Sequence, residues 1–82
     1  MNKILVSIYV VSIDNEYNLL LPIGKKVSEV VDLIQDSLID LSDNNYIKKK
    51  DVILYNSDGL IINQNNLVKY SGMKNGTKIC LL

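Results

Sequence analysis

The chain has 82 residues, in which nine Lys balance nine Asp plus Glu, and Arg and His are both absent. That length buries only about 60% of the unfolded surface, so one compact core over residues 1–82 is expected and a second domain is excluded. Zero net charge without Arg argues against nucleic-acid binding, and the lack of His beside the single Cys80 removes the usual neutral-pH base, Cys/His metal sites and an internal disulfide; neither enzymatic activity nor a cofactor is expected.

The apolar residues are almost all Ile, Leu, Val and Tyr, with no Ala, Phe or Trp, a bias that favours strands. Residues 3–13 alternate as a first strand, with Ile4, Val6, Ile8 and Val10 on one face and Leu5, Ser7, Tyr9 and Val11 on the other. The same stretch superficially has the form of a signal peptide, but Asp14-Asn15-Glu16 follow in place of a small-residue cleavage site. No run reaches the roughly 18 apolar residues that span a bilayer, so a cytoplasmic protein without membrane insertion is expected. Asp14-Asn15 supply a turn, and Tyr17, Leu19 and Leu21 alternate up to Pro22, completing a hairpin.

From residue 26 to 41 the period becomes that of a helix. Val27, Val30, Val31, Ile34, Leu38 and Leu41 fall within roughly a 100° arc, and Glu29, Asp32, Asp36, Asp40 and Asp43 gather opposite. Lys26 is a poor N-terminal cap, so the start is weakly marked. Residues 42–51, with Lys48-Lys49-Lys50, read as a surface connection. Residues 51–56 alternate again, Ser57-Asp58-Gly59 is a turn, and Leu60-Ile61-Ile62 pairs back as a second hairpin. Residues 67–70 form one helical turn, and Lys74-Asn75-Gly76 leads into a last strand. Asn75-Gly76-Thr77 matches a glycosylation pattern but reads as a tight turn in a cytosolic chain. The order ββαββ, short helical turn, β describes an α+β β-grasp, with a mixed sheet on one amphipathic helix and the first and last strands as parallel neighbours.

Val27-Ser28-Glu29-Val30 leading to Ile34-Gln35-Asp36, with Leu67, Tyr70, Met73 and Gly76 before a terminal strand, resembles ubiquitin-like proteins. Tyr17 to Pro22, Lys26-Val27 with Val30-Val31, Leu67 to Tyr70, Asn75-Gly76-Thr77 and the Leu81-Leu82 end narrow the resemblance to the YukD/EsaB family. The chain departs from that pattern at Lys69, at Thr77 and by one extra residue between Tyr70 and Met73. The resemblance implies a small cytosolic ubiquitin-like accessory protein of bacterial type VII (WXG100, ESX-like) secretion systems, with cytosolic ATPase domains or cytoplasmic faces of membrane components as partners. The alternative is a ubiquitin-like or sulfur-carrier modifier, or a β-grasp adaptor unrelated to secretion. Modifiers act through a Gly-Gly tail, and no glycine follows Gly76, so conjugation is not expected.

Cys80 has no base near it in sequence and reads as a small apolar side chain. The stripe Glu29, Asp32, Asp36, Asp40 and Asp43 reads first as a solvated helix face, and second as a face for a basic partner. Lys48 to Lys50 read as loop solubilisers. If Ile53 and Tyr55 face the helix, then Val52 and Leu54 point outward, joined by Cys80 and Leu82 of the last strand and Leu5 of the first. This apolar set, Leu5, Val52, Leu54, Cys80 and Leu82, is the candidate protein-binding face, for a partner or for a homodimer.

Overall fold

The computed structural model describes residues 2–82. β1 (Lys3–Val10) and β2 (Asn15–Pro22) pair antiparallel, β4 (Lys78–Leu81) lies parallel to β1, and β3 (Leu54–Asn56) lies antiparallel to β4, giving the order β2-β1-β4-β3. One helix, α1 (Val27–Leu41), packs on this sheet, and Val68–Tyr70 form a 3-10 turn. The expected β-grasp is therefore present, with β1 and β4 at its centre.

Strand alternation sets the core. Val6, Ile8 and Val10 of β1, Leu21 of β2 and Ile79 and Leu81 of β4 meet Val27, Val30, Val31, Ile34 and Leu38 of α1, all buried. β1 is shorter than its alternation suggests. The pattern runs to Ile13, but Val11–Ile13 tighten into a 3-10 turn and Asp14 takes a left-handed conformation (φ 47°) so that β2 can start at Asn15. Leu41 also departs from expectation: it ends the helix on its flank and stays half-exposed.

The helix starts where its sequence cap is poorest, and tertiary contacts supply what the cap lacks. The Val27 and Ser28 amides donate to the carbonyls of Asn66 and Gln64, both at 2.9 Å, satisfying donors that a helix leaves open at its N-terminus. The Lys26 amide donates to the Glu29 carboxylate at 3.2 Å. This is one half of a capping box, since a Lys side chain has no acceptor to complete the other. At the far end Asp43 and Asn44 adopt positive φ (55° and 66°), residue types that tolerate that region, and the helix stops without a glycine.

Two connections differ from expectation. Residues 42–51 are not merely a polar surface link, because Tyr46 is buried there and its hydroxyl donates to Gln35 Oε1 at 2.7 Å. The same oxygen accepts the Lys49 amide (2.7 Å), and Gln35 Nε2 donates to the Lys49 carbonyl (3.1 Å). A glutamine only 1% exposed thus has both of its polar atoms bonded, pinning the connection to α1. Leu60-Ile61-Ile62 make a single bridge, Tyr55 to Ile61, and not a paired strand. The Asn56 side chain accepts the Asp58 and Leu60 amides at 2.9 and 3.0 Å and closes the turn around Gly59.

Burial raises the Tyr46 phenol above its ordinary value, so its neutral form is the one the fold favours. Its contribution is therefore fully present below the unfolded tyrosine value of about 10 and lost as pH rises through the higher folded value. Tyr46→Phe should cost about 1 kcal/mol in urea melts at neutral pH, and the difference from the parent should shrink in strongly alkaline solution. Gln35→Ala should cost more, because it strands the Tyr46 hydroxyl and the Lys49 amide together.

Candidate docking face of the sheet

The face of the sheet turned away from α1 is built by the odd residues of β1. Tyr9 stands opposite Cys80, Cys80 opposite Tyr55, and Tyr55 bridges to Ile61, so one row of apolar bodies crosses the sheet. Ile53 and Leu82 extend it, joined by two backbone bonds: the Leu82 amide to the Ile53 carbonyl (2.9 Å) and the Ile53 amide to the Leu82 carbonyl (3.3 Å). Ile53, Ile61 and Leu82 are all exposed.

The assignment of Val52 and Leu54 to this face is corrected. Leu54 is 0% exposed and Val52 is buried, whereas Ile53 is 40% exposed. Leu54 lies directly opposite Leu81, and residues opposed across an antiparallel ladder share a face; Leu81 points at the helix, so Leu54 must too. Cys80 and Leu82 do face outward. Leu5 is outward as well, but its cross-strand partner is Leu20, and the row Asn18, Ser7 and Lys78 separates that pair from the Tyr55 cluster. Ser7 Oγ donates to Asn18 Oδ1 at 2.7 Å inside this polar divide. Sequence reasoning missed Tyr9, Ile53, Tyr55 and Ile61. The only available signal was that Tyr tolerates partial exposure better than Leu.

The Tyr9 hydroxyl donates to the Asp14 carboxylate, which raises the phenol above its usual value and keeps it neutral. Cys80 is a half-buried free thiol between the two tyrosines. The acidic stripe on α1 does not act as a unit. Glu29 caps the helix, Asp36 pairs with Lys48 at 3.0 Å, Asp43 turns the chain, and Asp32 and Asp40 stay solvated. Among the described residues no three acidic, His or Cys groups converge as a metal site, and no helix is long and apolar enough to cross a membrane.

No family model matches the sequence, and no curated protein matches it. Solved structures do. The ubiquitin-like domain of the Mycobacterium tuberculosis type VII secretion system protein ECCD1 superposes with a TM-score of 0.66 at 13% identity, over 100% of this chain and 99% of that one. A chain of the ESX-5 inner membrane complex gives 0.72 at 12% identity over all of this chain but only 21% of its own length. The ubiquitin-like domain of Arabidopsis thaliana protein At2g32350 gives 0.69 at 19%, covering 100% and 78%. Identities this low carry the fold alone, and the fold they share with this chain is the ubiquitin-like β-grasp.

Proposed function

We propose that the protein is a non-catalytic, cytoplasmic ubiquitin-like docking module, an accessory or regulatory component of a bacterial type VII secretion system of the YukD/EsaB kind. Its partner is an ATPase domain or the cytoplasmic domain of a membrane component of that system. The observation that carries the reading is the outward-facing row of half-buried Tyr9, Cys80 and Tyr55 with exposed Ile61, Ile53 and Leu82 beside it. Apolar area left in water across neighbouring strands is unfavourable unless something covers it, and tyrosines are frequent interface anchors. The fold likeness to domains of secretion-system proteins supports the choice of machinery. Leu81 is buried and Leu82 is paired with Ile53, so both residues serve the sheet.

The test uses purified cytosolic ATPase and membrane-component domains encoded beside WXG100 substrates. Tyr55→Asp and Ile53→Asp should retain the parent's melting behaviour and weaken binding at least about tenfold, as removal of a central apolar anchor does. Unchanged binding by both folded variants removes this face from consideration. Binding by none of these domains, with tight binding to an unrelated protein, favours a β-grasp adaptor outside secretion.

A further inference from the structure

The turn that leads into β4 is closed on itself and then fastened to β1. The Thr77 amide donates to the Lys74 carbonyl at 3.0 Å, and the Lys74 amide donates to Thr77 Oγ1 at 2.8 Å. Within that turn Asn75 and Gly76 hold both polar backbone groups of Leu5. Asn75 Oδ1 accepts the Leu5 amide at 2.8 Å, and the Gly76 amide donates to the Leu5 carbonyl at 2.7 Å. The Ser7 amide donates to the Thr77 carbonyl at 2.9 Å, so this clamp runs directly into the ladder that begins at Ser7 and Lys78. Gly76 has φ 84° with open space where a Cβ would stand, so glycine is required there for its backbone conformation.

The same two residues form a chemically labile pair. Among the asparagines of the chain, Asn75 alone precedes a glycine. A glycine nitrogen, with no side chain beside it to hinder approach, can lose its proton and attack the side-chain carbonyl carbon of the preceding asparagine. The new C–N bond closes a succinimide ring, and the side-chain nitrogen leaves as ammonia. Water then opens the ring at either carbonyl, giving aspartate or isoaspartate, the latter with the main chain rerouted through the side-chain carbons. The sum is asparagine plus water going to the acid plus ammonia, with no oxidant or reductant.

We propose that Asn75 is a deamidation site which the fold keeps closed through Leu5, and which reacts only when the turn before β4 separates from β1. Reaction requires the Gly76 nitrogen to lose its proton and meet Asn75 Cγ. In the fold that proton lies in the bond to the Leu5 carbonyl, and the Asn75 carbonyl is turned to the Leu5 amide. Both reactants therefore face β1 and not each other. Conversion proceeds from the open population, so its rate relative to the unfolded chain reads the free energy of that opening. Isoaspartate at this position lengthens the main chain between the two halves of the clamp, so they no longer reach Leu5 together. A chain that has opened is then marked covalently at the start of its central parallel pairing. The site does not depend on the Tyr55 face, and the two stand or fall independently.

The full chain is incubated at mildly alkaline pH in buffer and in denaturing urea, and each asparagine is followed by peptide mapping and by labelling with an isoaspartyl methyltransferase. In urea Asn75 should convert ahead of every other asparagine, and in the folded protein it should convert at least about tenfold more slowly. Leu5→Pro removes the amide that Asn75 holds and should speed conversion several-fold in buffer. Should that variant not fold, hydrogen exchange of the parent carries the test: the Leu5 and Gly76 amides should be protected by at least about tenfold. Asn75→Asp should melt close to the parent, because a carboxylate still accepts the Leu5 amide, whereas the isolated isoaspartate form should melt lower. Equal conversion with and without urea, earlier conversion of another asparagine in urea, or free exchange of both amides in the folded parent would overturn the proposal. An isoaspartate form that melts with the parent also overturns it, since the clamp would then survive the modification.

Discussion

Replacement of Leu54 by Asp is expected to leave the chain unfolded in the absence of denaturant. Leu54 is wholly buried opposite Leu81 of the neighbouring strand, within the apolar core. Truncating a buried leucine alone costs about 2 to 5 kcal/mol, and an unpaired buried carboxylate adds several more or forces its own protonation. Against a total stability of about 5 to 15 kcal/mol for a domain, little or nothing remains. Ile53→Asp is the matched control, one residue away and on the solvent side, and should melt near the parent. Circular dichroism of the two variants checks the register: a folded Leu54→Asp protein beside an unfolded Ile53→Asp protein refutes it.

Ile34→Ala is expected to cost about 2 to 5 kcal/mol in denaturant melts, since Ile34 is buried at the middle of the helix face that meets the sheet. Asp36→Ala should change the melt little. Both partners of its ion pair with Lys48 are largely exposed, where water screens the attraction and side-chain entropy opposes it. Comparable losses for the two variants would refute the rotational setting of α1.

The helix was legible because its sequence separates sharply into apolar and acidic sides. Val30, Val31, Ile34 and Leu38 are buried while Asp32, Asp36 and Asp40 are exposed, as a period of 3.6 demands. β1 was legible for the same reason at a period of two. The register of β3 was not, because Val52, Ile53, Leu54 and Tyr55 are apolar at every position, and an unbroken apolar run carries no phase. Only the pairing of Leu54 with Leu81 supplies that phase, and it is a long-range contact. The docking row was misplaced along with it. Gln35 and Tyr46 were hidden for a different reason: a polar side chain becomes a core residue only when its partners arrive, and Lys49 is 14 residues away from Gln35.

The central pairing of β1 with β4 has a consequence for the order of folding. Ser7 meets Lys78 and Val10 meets Leu81, so β1 waits for residues about 70 positions later in the chain before its inner edge is filled. Until then the β1 and β2 hairpin and α1 present Ile8, Val10 and Ile34 to solvent without Ile79 and Leu81 to cover them. Closing a loop of that span carries an entropic penalty that only the completed core repays. The core therefore closes only once residues 78–81 are present, and a chain cut before residue 78 exposes this apolar surface and is prone to misfold and aggregate.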